Sequence, residues 1–286
     1  MKVSPEHGSP HGGVDPTHVE AVDAPHAEID APHTGASFGS ATFRACGVDL
    51  QAVTIAQATA QIVDAAVFGE PLEAHLCNAY TLSLVDDDPE LALALATGYN
   101  LPDGAPVAWL GRNAGTAGPI RGASLVQSVL DSGLGPRVRH FFYGGCEGVA
   151  AEMVERLTAD RPGLEVAGYE TPPFTTLSDD DLAALALRIR EVGSQIVWVG
   201  LGTPKQDHLV RRLAPMVGMP VIPVGAAFDF FAGRVEEAPA HLHGTGLEWV
   251  HRFAQEPGRL WRRYLVGNPK FVARTVVHAA RDKRRN

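Results

Sequence analysis

An α/β architecture, with a mostly parallel, Rossmann-like sheet flanked by helices, is predicted by three features of this sequence. Short apolar runs recur along the chain, helical patterns separate them, and glycine-bearing turns follow several of the runs. The runs read as buried parallel strands over residues 75–79, 138–143, 164–168, 195–199 and 220–224. Helical patterns lie over 54–67, 81–96, 124–132, 148–160, 179–192 and 204–216. Two helix starts carry chemical signals. Ser178 precedes three aspartates as an N-cap, and Thr203-Pro204 offers a cap followed by proline at the first helical position.

Composition sets the limits. The chain has 286 residues, 45% hydrophobic and 20% charged, enough to bury a core and unlike a fibrous or coiled-coil protein. No run approaches roughly 18 apolar residues, so no membrane span is expected, and no secretory signal is visible at the N-terminus. Three cysteines, Cys46, Cys77 and Cys146, share no CxxC spacing and suit a reduced, cytoplasmic protein. Residues 1–38 are rich in Pro, His, Gly, Asp and Ala and predict a disordered leader. Residues 39–240 then form the α/β core, and 241–286 a C-terminal appendage.

Charge is divided unevenly. From residue 251 onward ten Lys or Arg face two acids, 10 − 2 = +8; the first 250 residues carry 14 − 31 = −17. Large apolar residues interleave with the basic ones: Trp249 with Phe253, Leu260 with Tyr264 and Trp261 with Leu265 are each four apart, on one helical face. A basic amphipathic helix lying on an anionic membrane surface is one reading; a helix packed on the core with a solvated basic face is the plain one.

In open parallel sheets ligands bind beyond the carboxyl ends of the strands. Four segments qualify. Gly144-Gly145-Cys146-Glu147-Gly148 leads into a helix whose free N–H groups suit phosphate. Gly200 to Gln206 does the same, and places Lys205 in a first turn where a cation opposes the helix dipole unless an anion sits there too. The run from Gly225 to Gly233 holds Asp229 among apolar residues, placed for a ribose hydroxyl or a uracil edge. Asn100 to Gly104 holds Asp103 between Pro and Gly. Taken singly, each is also an ordinary turn, a solvated lysine or a helix cap.

Together these segments resemble the TagA/WecG/CpsF glycosyltransferases, glycosyltransferase family 26. The resemblance rests on LPDGAPVAWLGR (101–112), FFYGGCEGVAAEMVERL (141–157), VWVGLGTPKQDHLV (197–210), VGAAFDFFAGRVEEAP (224–239) and GLEWVHRFAQEPGRLWRRYLVGNPKF (246–271). It covers roughly residues 45 to 275, and its last segment is the most specific. It implies an inverting, metal-independent transferase without a cofactor. The sugar, N-acetylmannosamine or a related hexose or uronic acid, moves from a UDP donor to a polyprenyl-pyrophosphate-linked acceptor. The setting is the inner face of the plasma membrane, where the C-terminal appendage helps complete the site.

By this resemblance Asp103 is the general base. Asn78, Gly144, Gly145, Gly202, Lys205, Gln206, Gly225, Phe228 and Asp229 hold the nucleotide-sugar. Arg112, Arg121, Arg259, Arg262 and Arg263 neutralise phosphate or lipid pyrophosphate. The chain departs from the family at Leu76, where a threonine is usual, and at Asp207, where glutamate is commoner. His241 and His243 lack a partner at metal-ligand spacing. His75 and His208 read as satisfied strand and helix-surface residues.

Three other readings compete: a nucleotide-dependent oxidoreductase, a non-catalytic nucleotide-sugar-binding protein of the same fold, and a nucleic-acid protein using the basic tail. The first lacks GxGxxG. A nucleic-acid partner is not expected, and the sequence leaves a homo-oligomer open.

Overall fold

The computed structural model describes residues 41–116, 118–173 and 176–285. The expected leader at 1–38 lies outside the described residues. A two-stranded antiparallel hairpin opens the described chain, β1 (Thr42–Ala45) with β2 (Val48–Gln51). There follow α1 (Ile55–Phe68), β3 (Leu72–Cys77), α2 (Ala79–Leu84), α3 (Pro89–Thr97), β4 (Tyr99–Pro102), α4 (Ala105–Leu110) and α5 (Gly122–Gly133). The second half alternates β5 (Arg139–Gly144), α6 (Val149–Asp160), β6 (Glu165–Glu170), α7 (Asp179–Glu191), β7 (Ile196–Gly200), α8 (Lys205–Val217), β8 (Pro220–Pro223) and α9 (Ala227–Phe231). The C-terminal segment is helical: α10 (Glu248–Gln255), α11 (Pro257–Trp261), a π-helical turn (Arg262–Gly267) and α12 (Asn268–Arg285).

Six strands form one parallel sheet in the order β4-β3-β8-β7-β5-β6. The predicted fold class is therefore the observed one. The period of two divides the strands between two faces. Phe142, Trp198 and Ile222 pack under α1, α5 and α6, while Phe141, Tyr143, Val197 and Val199 pack under α7 and α8. A third cluster joins the hairpin to α2, α3 and Phe271 of α12. Inside the first cluster the Trp198 indole donates to His140 Nδ1 at 3.2 Å, and burial pulls that histidine down to about 3, so it stays neutral.

The predicted elements stand with local corrections. The strand expected over 75–79 ends at Cys77, because Asn78 caps α2 instead. The single helix expected over 81–96 is two, broken at Asp86-Asp87-Asp88-Pro89; Asp88 caps α3 and Pro89 takes its first position. Helix α8 begins at Lys205 behind a cis Thr203-Pro204 bond, without a side-chain cap, so Thr203 is not the cap its position suggested. Ser178 does cap α7, in a reciprocal box with Asp181.

The C-terminal segment lies against the turn that breaks α2 from α3. Arg274 bonds Asp86 at 3.1 Å and Asp87 at 2.5 Å, Lys270 also pairs with Asp87, and His278 meets Asp86 at 3.2 Å. Asp88 turns the other way, to His208 of α8 at 3.0 Å. Among the described residues no helix is long and apolar enough to cross a membrane.

Candidate functional site

A cleft of about 830 Å³ opens at the carboxyl ends of β3, β4, β5, β7 and β8, under the C-terminal segment. Strands β3 and β4 end side by side, and the Asp103 N–H donates to the Cys77 carbonyl at 3.0 Å. Asn78 follows β3. Its side-chain oxygen accepts the N–H groups of Tyr80 and Thr81 at 3.0 and 3.1 Å, which leaves its amide nitrogen to donate to Asp103 Oδ2 at 3.2 Å. The capping of α2 thus orients the group that holds the Asp103 carboxylate. Asn100, Leu101 and Pro102, read as part of a turn, are strand residues; only Asp103 and Gly104 leave the sheet.

Asp103 is deeply set, with a fraction of its surface still open to the cleft. Burial pushes its carboxyl above the usual carboxylate range. Arg263, the Asn78 amide and Arg121 pull it down, and Glu248 adds to the rise.

The opposite wall is backbone. Gly144 ends β5 at φ 153°, and a Cβ there would lie 2.6 Å from the Gly200 main chain. A Cβ on Gly200 would meet the Phe228 ring at 2.6 Å. Only glycine lets the ends of β5 and β7 close this tightly. The Gly145 N–H then reaches the Gly200 carbonyl at 2.9 Å. Gln206 folds back to accept the Gly202 N–H at 3.0 Å and stiffens the turn before α8. Beneath that turn, His75 is fully buried between Asp207 at 2.9 Å and Glu73 at 3.2 Å. Burial disfavours its charge, but the two carboxylates outweigh burial and hold its pKa above the usual value.

Asp103, Asn78, Gly145, Gly202, Lys205, Gln206, Gly225, Asp229, Arg121, Arg262 and Arg263 all line the cleft. Gly144 shapes it from behind. Phe228 is not among the cleft-lining residues: 1% exposed, its ring packs edge-to-face on Phe142 at 6.2 Å and backs the glycine wall. Arg112 lies elsewhere, over the Trp109 ring at 5.7 Å beside a smaller cavity. Arg259 belongs to α11, but its side chain lies outside the described residues. Arg263 sits over the Tyr80 ring at 5.8 Å and Arg262 over Trp261 at 5.2 Å. Cys77 is buried and its thiol pushed well above the usual value, as an inert core residue requires. Among the described residues no three His, Cys, Asp or Glu gather to hold a metal ion.

Sequence reasoning assigned no role to Glu248, which also lines the cleft and binds Arg121 at 2.7 Å. The signal was the GLEW segment, conspicuous but without a geometric partner until Arg121 is placed beside it.

A sequence profile of the glycosyl transferase WecG/TagA/CpsF family matches residues 43–286. A protein of Bacillus spizizenii named N-acetylglucosaminyldiphosphoundecaprenol N-acetyl-beta-D-mannosaminyltransferase is 33% identical over 190 residues, covering 65% of this chain and 71% of its own. A protein of the same name from Bacillus subtilis is 28% identical over 234 residues, covering 76% of this chain and 88% of its own. The chain belongs to the WecG/TagA/CpsF family of glycosyltransferases.

Proposed function

We propose that this glycosyltransferase moves N-acetylmannosamine, or a related hexose or uronic acid, from UDP to a polyprenyl-pyrophosphate-linked sugar, with inversion and without a metal, in making a bacterial surface polymer. The observation that carries the reading is the shared cleft. The Asp103 carboxylate stands in it with the glycine turns of β5 and β7 and with Arg252, Arg262 and Arg263 of the C-terminal segment. The names of the two relatives support the choice of donor sugar and of a diphosphopolyprenol-linked acceptor.

The roles follow from position. Asp103 takes the proton of the acceptor hydroxyl while that oxygen forms a bond to the anomeric carbon; the bond from that carbon to the UDP oxygen breaks, and its electron pair leaves with the diphosphate. Negative charge then grows on the β-phosphate. Arg262, Arg263 and Lys205 are the cleft cations for it, with Gly145, Gly202, Gly225, Gln206 and Asp229 toward the nucleoside side. Arg121 is ion-paired by two glutamates, so its charge is already largely offset.

The inner membrane face is the proposed setting. Trp261, Leu265, Val272 and Val276 are exposed at helical spacing along the C-terminal segment, with Arg262 and Arg281 beside them.

The test is a screen of UDP-sugars against a polyprenyl-pyrophosphate-linked N-acetylglucosamine acceptor, with and without EDTA. Turnover by the wild type, lost by about 100- to 10,000-fold in Asp103→Asn, supports the reading. Equal turnover in both overturns it. Deleting 246–286 is expected to abolish both activity and binding to anionic vesicles. At matched salt, preference for duplex DNA over those vesicles would overturn the membrane assignment.

A further inference from the structure

The segments HLHG and GLEW meet at one guanidinium. Arg121, only 12% exposed at its side chain, donates from Nε to Glu248 Oε2 at 2.7 Å. Its Nη2 pairs with Glu237 at 2.6 Å, and its Nη1 reaches Ser124 at 3.3 Å and His243 Nδ1 at 3.0 Å. An arginine nitrogen only donates, so His243 Nδ1 accepts. Its Nε2 then carries the hydrogen, which it gives to the Ala238 carbonyl at 2.6 Å. Glu248 is equally committed: Oε1 accepts the Gly244 N–H at 2.7 Å while Oε2 holds Arg121. One carboxylate therefore fixes both an arginine of the cleft wall and the turn that starts the C-terminal segment.

We infer that Glu248 is a positioning residue for the transfer, holding Arg121 against the cleft and tying it to the turn that starts the C-terminal segment. This rests on the reading of Asp103 as the base. Four groups that line the same cleft act on Asp103: the Asn78 amide from the start of α2, Arg121 from the start of α5, Glu248 from α10 and Arg263 from the π-helical turn. Glu248 is the anionic one of the four, and its charge favours the protonated form of Asp103, in keeping with the stronger base the reaction needs. Seating the C-terminal segment thus delivers two opposed influences to one carboxylate. Arg263 makes it more acidic, and Glu248 restores its basicity while immobilising Arg121.

Glu248→Gln and Glu248→Asp test this in the full chain, with UDP-N-acetylmannosamine as donor and a prenyl-pyrophosphate-linked N-acetylglucosamine as acceptor. The expected result for Glu248→Gln is at least a tenfold loss of kcat/KM, mostly in kcat, with the acid limb of the pH profile displaced to lower pH. Glu248→Asp keeps the charge; it retains the wild-type acid limb and recovers part of the rate. A Glu248→Gln enzyme within twofold of wild type with an unmoved acid limb overturns the inference. So does an equal loss in both variants with an unmoved limb and a lowered Tm, which is the mark of a merely structural residue. Absence of turnover in the wild type is a different failure: it sinks the donor and acceptor reading, and the positioning role with it.

Discussion

At the carboxyl ends of β5 and β7, Gly144 and Gly200 are packed so closely that no side chain fits between the two strands and the Phe228 ring. Across the cleft, Arg262 and Arg263 are presented by a helical segment fastened by ion pairs to Asp86 and Asp87, whose side chains are about half exposed. The inner wall is made by sterics and main-chain hydrogen bonds, which salt does not touch. The outer wall is anchored by the buried Phe271 and by charges in partial contact with water, and salt weakens the second of these.

Three substitutions sharpen this contrast, the largest effect first. His75→Gln removes an imidazole held between buried Asp207 and partly buried Glu73, and is expected to cost about 3 kcal/mol at acid pH, read as a fall in Tm. The sign follows from the pKa. Because the folded histidine holds its proton more tightly than the unfolded one, its stabilisation is complete below about pH 6.5 and fades as pH rises through the folded value. The wild type therefore loses Tm through that range and the variant has the flatter profile; parallel profiles would mean that the inner wall does not depend on this charge.

Gly144→Ala forces a Cβ against the Gly200 backbone at a left-handed φ, at an expected cost of about 2 kcal/mol in denaturant unfolding. An unchanged midpoint would show that the glycine wall yields. Arg263→Gln on the outer wall is expected to leave Tm unchanged and lower kcat/KM about tenfold, equivalent to about 1.4 kcal/mol. Its acid limb is expected to move to higher pH, since the cation that lowers the Asp103 pKa is gone. A large fall in Tm for this variant would erase the distinction between the two walls.

Much of the inner wall was legible in the sequence because its determinants are local. A buried strand is an apolar run, and a glycine pair after it reports a close approach that few other residues permit. The strand before Asp103 was not legible. Tyr99, Asn100, Leu101 and Pro102 run straight into Asp-Gly with turn-forming composition, and pairing with β3 makes them a strand against that preference. The β1–β2 hairpin left a fainter mark, alternation on either side of Cys46-Gly47, both at positive φ. Phe228 reads in the sequence as a ligand platform because it stands beside an aspartate, and only the packing on Gly200 shows that its ring is buried against the glycine wall. The Arg121 cluster draws residues 121, 237, 243 and 248 from separate segments, so no spacing in the chain announces it.

The three consecutive acids between α2 and α3 face different elements: Asp86 and Asp87 toward α12, Asp88 toward α8. A short linker that breaks a helix is thus also a plate bolted to two separate elements, α12 on one side and α8 on the other. Any relative that exchanges its tail for another kind must rebuild this plate at the same time. Chimeras that swap everything after residue 246 but keep the recipient's own linker should fail, while those that carry linker and tail together should work.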